Sequence, residues 1–129
     1  MRLACLATVL IAVVGLIDCS HAFESEAHVV YEAGPDSPVL RILSTTDIEI
    51  FEPMLRAFQE RNPATTIDYT VASSKEVMKA LMSEGQAFDV ALSSAMDLQT
   101  KLSNDGLTLS HVSSATSRLP GWANWRDQV

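Results

Sequence analysis

The alternation of short apolar runs with longer helical stretches constrains the fold more than any other feature of this chain. Three short runs, residues 39–43, 65–71 and 88–92, are rich in aliphatic, β-branched or aromatic side chains. Each is followed by a hydroxyl-rich turn and then by apolar residues at helical spacing. Strands that alternate with helices of roughly 10 to 15 residues are typical of βαβ units and a parallel sheet. The sequence therefore predicts an α/β fold in the order strand, helix, strand, helix, strand, helix.

The first predicted helix has the clearest pattern of apolar residues. Thr46 or Asp47 is expected at its N-cap, and Asn62-Pro63 is expected to end it. Pro53 lies inside the pattern, which makes the start of the helix harder to place. The apolar residues recur at spacings of three and four, which predicts one inward-facing stripe. Its members are Ile48, Phe51, Met54, Leu55 and Phe58.

The second and third helices have weaker but similar signals. Ser73-Ser74 is expected to open the second helix and Gly85 to end it, and Ser93-Ser94 is expected to cap the third. A brief fourth strand is expected at residues 107–109. The residues predicted to face inward are Val77, Met78, Leu81 and Met82 on the second helix, and Met96 or Leu98 together with Leu102 on the third.

The N-terminal segment has the three parts of a secretory signal peptide. Arg2 provides a positive charge, residues 3–17 are apolar except for one threonine, and Ser20-His21-Ala22 offers small residues before a cut after Ala22. An uncleaved membrane anchor is the alternative, but the apolar run is shorter than the roughly 20 residues that a spanning helix needs. Lipidation at Cys19 is not expected, because Asp18 precedes it where a small residue is required.

Composition excludes several classes of function. The net charge is −7 and the basic residues are scattered, which is unlike a nucleic-acid-binding surface. Cys5 and Cys19 both lie in the segment expected to be removed, so no disulfide and no cysteine metal site is predicted in the mature chain. The sequence contains no P-loop, dinucleotide or nucleophile-elbow motif and no metal-ligand spacing of histidines. We therefore expect no enzyme activity, no cofactor and no metal centre built by this chain.

Three hydroxyl-rich turns, residues 44–47, 72–74 and 93–95, are predicted at one edge of the sheet. Ligands of open parallel sheets bind beyond the carboxyl ends of the strands. Each turn leads into a helix, and the free N–H groups at a helix start suit an anion. Ser73 and Ser74 are interpreted as helix caps, whereas the other two turns favour capping and ligand binding equally. The candidate ligand-binding residues are Thr45, Thr46, Ser93 and Ser94.

Three stretches carry a resemblance to a known family. Residues 42–47, Ile-Leu-Ser-Thr-Thr-Asp, and the helix and Asn62-Pro63 after them resemble the opening of the periplasmic solute-binding proteins of ABC transporters. Residues 89–106, which begin Asp-Val-Ala-Leu-Ser-Ser, and residues 119–127, Leu-Pro-Gly-Trp-Ala-Asn-Trp-Arg-Asp, are similar to the ferric-iron-type branch. The resemblance extends over residues 39–129.

The resemblance implies a fold, a role and a location. Proteins of this family have two α/β lobes of the type II periplasmic-binding-protein fold, which close like a hinge on a solute and deliver it to a membrane permease. The implied solute is a small anion or ferric iron, the implied compartment is the periplasm, and the four candidate residues would line the first lobe's side of the cleft. The metal-binding tyrosines of ferric-iron binders lie in a later part of the family's sequence than this chain covers.

The expected domain organisation follows from these readings. Residues 1–22 are the predicted signal peptide, and residues 23–38 are a polar, flexible leader with a short extended piece at residues 28–31. Residues 39–129 are the N-terminal portion of a solute-binding domain, truncated, with the second lobe absent. The alternative is a stand-alone secreted interaction module that has no role in transport.

Overall fold

A computed structural model describes residues 22–111 and 113–123 of the chain. The predicted signal peptide therefore lies outside the described residues except for Ala22. The helices and strands, in chain order, are β1 (Ala27–Tyr31), β2 (Val39–Ser44), α1 (Ile48–Arg61), β3 (Thr66–Val71), α2 (Ser74–Met78), which continues into a π-helical turn (Lys79–Ser83), β4 (Val90–Leu92) and α3 (Met96–Asn104). Two 3₁₀ turns follow, at Thr116–Arg118 and Gly121–Ala123.

The strands form one four-stranded sheet in the order β1-β3-β2-β4. β2 is parallel to both β3 and β4. These three are the strands that the sequence predicts, and the expected α/β fold with a parallel sheet is confirmed. β2 is central among these three, and the two strands that follow it in the chain, β3 and β4, add on either side of it.

β1 lies in the segment expected to be a flexible leader, and the structure shows it as an ordered edge strand of the sheet. It pairs antiparallel with β3 along its whole length, from Ala27 opposite Val71 to Tyr31 opposite Ile67. Its residues alternate between half-buried and exposed, as in a strand that covers one face of a core. The extended piece expected at residues 28–31 is therefore confirmed, while its pairing with β3 is new, because the sequence gives no signal for the partner of an edge strand.

The sheet is buried on both faces. On one face, α1 covers a core of Ile42, Leu55, Ile67, Tyr69 and Val71. On the other face, α2, the π-helical turn and α3 enclose a second core of Leu43, Ala72, Val77, Ala80, Leu98 and Leu102. Successive side chains of β2 therefore pack into opposite cores. This explains why the sequence of such a parallel strand is a continuous apolar run.

The predicted stripe of α1 is confirmed only in part. Leu55 is buried, and the ring of Phe51 stacks on Tyr69 with 5.5 Å between ring centroids. Met54 and Phe58 are 61% and 40% exposed, so their predicted inward orientation is wrong. The apolar arc of the helix is wider than its contact with the sheet, and these two residues lie on the uncovered part. Asp47 occupies the N-cap position as expected, although its side chain makes no capping hydrogen bond.

The later elements match the prediction unevenly. Leu98 and Leu102 are buried as predicted, and Met82 packs against the same core. Met78 is exposed instead of inward-facing, because α2 leaves α-helical geometry directly after it. The expected fourth strand at residues 107–109 is wrong, since Leu107 and Leu109 lie in an exposed loop.

The described residues contain no helix that combines the length and the apolar character needed to cross a membrane.

Leu43→Ala should strongly destabilise the fold. Leu43 is fully buried on the α2–α3 side of β2, and truncation of a buried leucine to alanine typically costs about 2–5 kcal/mol. Met54→Ala, at an exposed site, should change the free energy of unfolding by less than about 0.5 kcal/mol. Urea unfolding followed by circular dichroism measures both. Equal effects of the two substitutions would contradict the two-sided core.

Candidate functional site

The loops that follow β2 and β4 lie side by side, because these two strands are neighbours in the sheet. The backbone N–H of Thr45 donates to the carbonyl of Leu92 at 3.0 Å, which extends the strand pairing by one residue. The N–H of Ser94 donates to Oγ1 of Thr45 at 3.2 Å. The structure therefore brings the two predicted hydroxyl pairs together, 49 residues apart in sequence.

Serine hydroxyls also stabilise each loop internally. The N–H of Thr46 donates to Oγ of Ser44 at 3.0 Å, and the N–H of Ala95 donates to Oγ of Ser93 at 3.0 Å. Such local bonds are typical of hydroxyl residues in turns. Gln99 adds a bond from its side-chain amide to the carbonyl of Ser93 at 3.2 Å. The hydroxyls of Thr45 and Ser93 are thus occupied as acceptors within the loops.

Thr46 and Ser94 are placed differently from the other two candidates. Ser94 is exposed and Thr46 is half-buried. Neither hydroxyl has a hydrogen-bond partner among the described residues. These two hydroxyls are therefore without a partner in the described part of the chain, whereas those of Thr45 and Ser93 each accept one hydrogen bond and keep the O–H donor.

The third predicted turn behaves as a helix cap. Oγ of Ser73 accepts a hydrogen bond from the N–H of Glu76 at 3.3 Å, as expected for an N-cap serine. Its loop is tied to β2 through the N–H of Ala72, which donates to the carbonyl of Ser44 at 2.9 Å. Ser74 is the exposed first residue of α2. The interpretation of Ser73 as a cap is confirmed.

The starts of α1 and α3 have no side-chain cap. The N-cap positions are Asp47 and Ala95, and neither side chain accepts a bond from the first turn. The prediction that Ser93-Ser94 caps α3 is therefore wrong, because the Ser93 hydroxyl bonds to Ala95 and the helix begins one residue later. The first N–H groups of a helix have no partner within the helix. The first backbone N–H groups of α1 and α3, which follow the two hydroxyl-bearing loops, are therefore not bonded to a capping side chain.

Tyr69 holds the loop after β2 from the side of the core, a role that the sequence did not predict. Its hydroxyl donates to the carbonyl of Thr46 at 2.8 Å, while its ring is buried under α1. Burial raises the pKa of Tyr69, and the charge of Asp47 adds to this, although a hydrogen bond with Ser44 acts in the opposite direction. Strand alternation identifies Tyr69 as inward-facing, but the partner of its hydroxyl depends on where α1 begins.

Three carboxylates lie close to the loops after β2 and β4, while one cation, Lys75, lies in the first turn of α2. Asp47 precedes α1, Glu49 lies in its first turn, and Asp97 lies in the first turn of α3. The described residues contain no group of three His, Cys, Asp or Glu side chains that could hold a metal ion. The arrangement can therefore donate hydrogen bonds to a small polar solute, while the carboxylates limit its attraction for a highly charged anion.

The candidate residues lie on an open edge. Two surface depressions, of about 640 and 310 Å³, lie elsewhere, the first along α3 and the second between α1 and the β1–β2 loop. Neither includes any of the four hydroxyl residues. A small-molecule site normally buries most of its ligand. The four hydroxyl residues thus lie on an exposed edge and not in either of these two depressions.

Comparisons with known proteins are consistent with this architecture. No family model and no curated protein matches the chain. Among solved structures, the chain is similar to the substrate binding protein of the ABC transporter from Agrobacterium tumefaciens, with a TM-score of 0.70 and 34% sequence identity. The match covers 78% of this chain and 32% of that protein, so this chain spans about a third of its length. The fold is a mixed α/β partial lobe of the periplasmic-binding-protein type.

Tyr69→Phe should weaken the fold and change its response to alkaline pH. Loss of the hydrogen bond to Thr46 should lower the free energy of unfolding by about 0.5–1.5 kcal/mol at neutral pH. Because the folded-state pKa of Tyr69 is raised, its contribution to stability is present below the ordinary tyrosine pKa of about 10 and is lost as the pH rises above it. Urea unfolding between pH 8 and 11 measures both effects.

The decline in stability above pH 10 should be smaller in Tyr69→Phe than in the unsubstituted chain. Some decline should remain, because the pKa of Tyr31 is also raised, chiefly by burial and then by Glu52. Tyr31→Phe is the matched control, since it removes a phenol of raised pKa without touching the Thr46 loop. An unchanged alkaline decline in Tyr69→Phe would show that the phenol is not held protonated.

Proposed function

We propose that this chain is the solute-binding component of an ABC uptake transporter, which captures a small anion or ferric iron in the periplasm and delivers it to a permease. The observation that supports this most directly is the contact between the β2 and β4 loops through Thr45 and Ser94. It concentrates hydroxyls and free helix N–H groups at the carboxyl edge of a parallel sheet, where ligands of such sheets bind. The similarity to an ABC substrate-binding protein supports the same role.

The chemistry of the edge favours a solute that accepts hydrogen bonds. The hydroxyls of Thr46 and Ser94 and the uncapped starts of α1 and α3 all present donors. A helix N-terminus stabilises negative charge through the partial positive charge of its N–H groups. Ferric iron would reach the same edge together with an anion, since hydroxyls and N–H groups bind the anion and not the metal. Binding and release require no catalytic group, in agreement with the expectation that the chain is not an enzyme.

Thermal unfolding with a ligand panel tests this proposal. The purified exported chain is scanned alone and with ferric citrate, phosphate, sulfate and carbonate. A ligand that binds only the native state raises the Tm with its concentration. At 100 times its dissociation constant the expected stabilisation is about 2.7 kcal/mol. A cooperative transition that no ligand moves would contradict solute binding by this lobe.

The double variant Thr46→Val with Ser94→Ala should reduce any such shift. These substitutions remove the two hydroxyls without a described partner while they leave the Thr45 and Ser93 contacts in place. Loss of both hydrogen bonds should weaken binding by roughly five- to 150-fold, since each is worth about 0.5–1.5 kcal/mol. Ser83→Ala, an exposed serine on the π-helical turn, is the control and should bind as the unsubstituted chain does. Equal ligand shifts in the double variant and the control would place the ligand elsewhere.

A secreted interaction module remains the second candidate, and one observation favours it. Ile50, Met54 and Phe58 recur every fourth residue on α1 and are all exposed, Ile50 by 70%. An exposed apolar stripe of this kind can bind a partner or a second copy of the chain. Analytical ultracentrifugation of the chain and of Met54→Lys distinguishes the two candidates. Self-association that Met54→Lys abolishes, in a chain that binds no solute, would favour the interaction module.

A further inference from the structure

Residues 22–24, which flank the predicted cleavage point, are hydrogen-bonded to side chains of the folded chain. The backbone N–H of Phe23 donates to a carboxylate oxygen of Glu84 at 3.2 Å, and the N–H of Glu24 donates to one of Glu76 at 2.9 Å. The ammonium of Lys79 donates to the carbonyl of Ala22 at 3.2 Å. Three polar side chains of α2 and the π-helical turn therefore bind three consecutive residues, 52 to 61 positions away in sequence.

The side chain of Phe23 fixes the position of this segment. Its ring packs against the core between the sheet and α2–α3. It meets Phe88 edge-to-face, with 6.1 Å between centroids and planes at 78°. Aromatic pairs prefer this geometry. The nitrogen of Phe23 is thus held beside Glu84 by packing, independently of its hydrogen bond.

The π-helical turn gives the three polar side chains their arrangement. The N–H of Glu84 bonds to the carbonyl of Lys79 at 3.0 Å, five residues back instead of four. Residues five apart lie on one face in a π-helix, so Glu84 comes to lie above Lys79. The ammonium of Lys79 is 3.6 Å from Glu84 and 3.7 Å from Glu76. π-helical turns are rare and often occur at functional sites.

The charges of this cluster do not balance in the uncleaved chain. Glu76 and Glu84 carry two negative charges, and Lys79 carries one positive charge. All three side chains are largely covered, with exposures between 17% and 30%. Lys75 acts on Glu76 from the same helix, while Glu24 on the bound segment is exposed and adds a further carboxylate. The guanidinium of Arg41 lies over the ring of Phe88 and donates to the carbonyl of Ala87. The position next to Glu84 is therefore suited to one more cation.

We propose that cleavage after Ala22 creates that cation, so that the α-ammonium of the new N-terminal Phe23 forms an ion pair with Glu84 and anchors the mature chain. Hydrolysis breaks the bond between the Ala22 carbonyl and the Phe23 nitrogen. Water supplies the second oxygen of the departing carboxylate, and its protons go to the amine. The nitrogen that donates one neutral hydrogen bond becomes a charged donor of three. Lys79, freed from the Ala22 carbonyl, remains with the two carboxylates.

This inference rests on the export part of the proposed function and not on ligand binding. The two can therefore fail separately. A mature chain that begins at Phe23 and is anchored as described supports the inference even if it binds no solute. Export without cleavage after Ala22 overturns the inference and leaves the solute-binding test unaffected.

The first experiment identifies the N-terminus. The full 129-residue chain is expressed in a Gram-negative bacterium, and the periplasmic product is analysed by intact mass and N-terminal sequencing. The expected product begins at Phe23. A product that begins at any other residue, or that retains the segment before Phe23, would overturn the proposal.

The second experiment titrates the α-amine of the exported protein. Its rate of acetylation by acetic anhydride, followed by mass spectrometry from pH 6 to 10, gives its pKa. A neighbouring carboxylate should raise this pKa above the ordinary 7.7–8.0 of an α-amino group. Glu84→Gln should return it to the ordinary range, whereas Glu26→Gln, which removes an exposed carboxylate of the same segment, should not. An ordinary pKa in the unsubstituted protein, or no response to Glu84→Gln, would overturn the ion pair.

The third experiment links the anchor to stability without any substitution. A raised α-amine pKa contributes stability that is present below the ordinary pKa and is lost as the pH rises through the folded-state value. The Tm of the exported protein should therefore fall by a few degrees between about pH 7 and pH 10 relative to the same protein acetylated at its α-amine. Identical pH dependence of the two forms would contradict an energetic role for the ammonium.

Discussion

The pairing of β2 on both of its edges is the interaction on which the rest of the structure depends. β3 and β4 add in parallel on either side of it, and β1 adds beyond β3. Since parallel neighbours must be joined by crossovers, the helices are forced onto the two faces of the sheet. The same pairing makes the loops after β2 and β4 adjacent, so the candidate binding edge is a direct consequence of strand order.

The hydroxyl residues of that edge divide into two roles that composition does not distinguish. Thr45 and Ser93 hold the loops in shape by accepting backbone hydrogen bonds, and Ser73 caps α2. The hydroxyls of Thr46 and Ser94 have no hydrogen-bond partner among the described residues. Tyr69 supports the arrangement by bonding to the carbonyl of Thr46 from the buried side. If the edge binds a solute as proposed, these contacts lower the entropic cost of ordering it.

α2 and the residues after it also bind the segment that precedes β1. The π-helical turn aligns Glu84 with Lys79, and the resulting cluster binds the backbone of residues 22–24. Hydrogen bonding from Glu24 lowers the pKa of Glu76, with Lys79 acting in the same direction against the effect of burial. Glu76 therefore keeps its negative charge further into acidic solution than an ordinary glutamate. Anchoring of the chain start on α2 also keeps β1 next to β3, a few residues further on.

The sequence by itself determined the fold class, the three parallel strands, the cap at Ser73, the buried positions of Leu55, Leu98 and Leu102, and the hydroxyl-rich turns. These are local properties, since side-chain spacing reports which face of a helix or strand is apolar. Tertiary structure alone decided the pairing of β1 and the π-helical turn. It also decided that Met54, Phe58 and Met78 are exposed. Only the structure shows which of the four candidate hydroxyls have no partner in the part of the chain that it describes, namely those of Thr46 and Ser94. The pairing of β1 and the contact between Thr45 and Ser94 depend on partners distant in sequence, and local spacing carries no information about such partners.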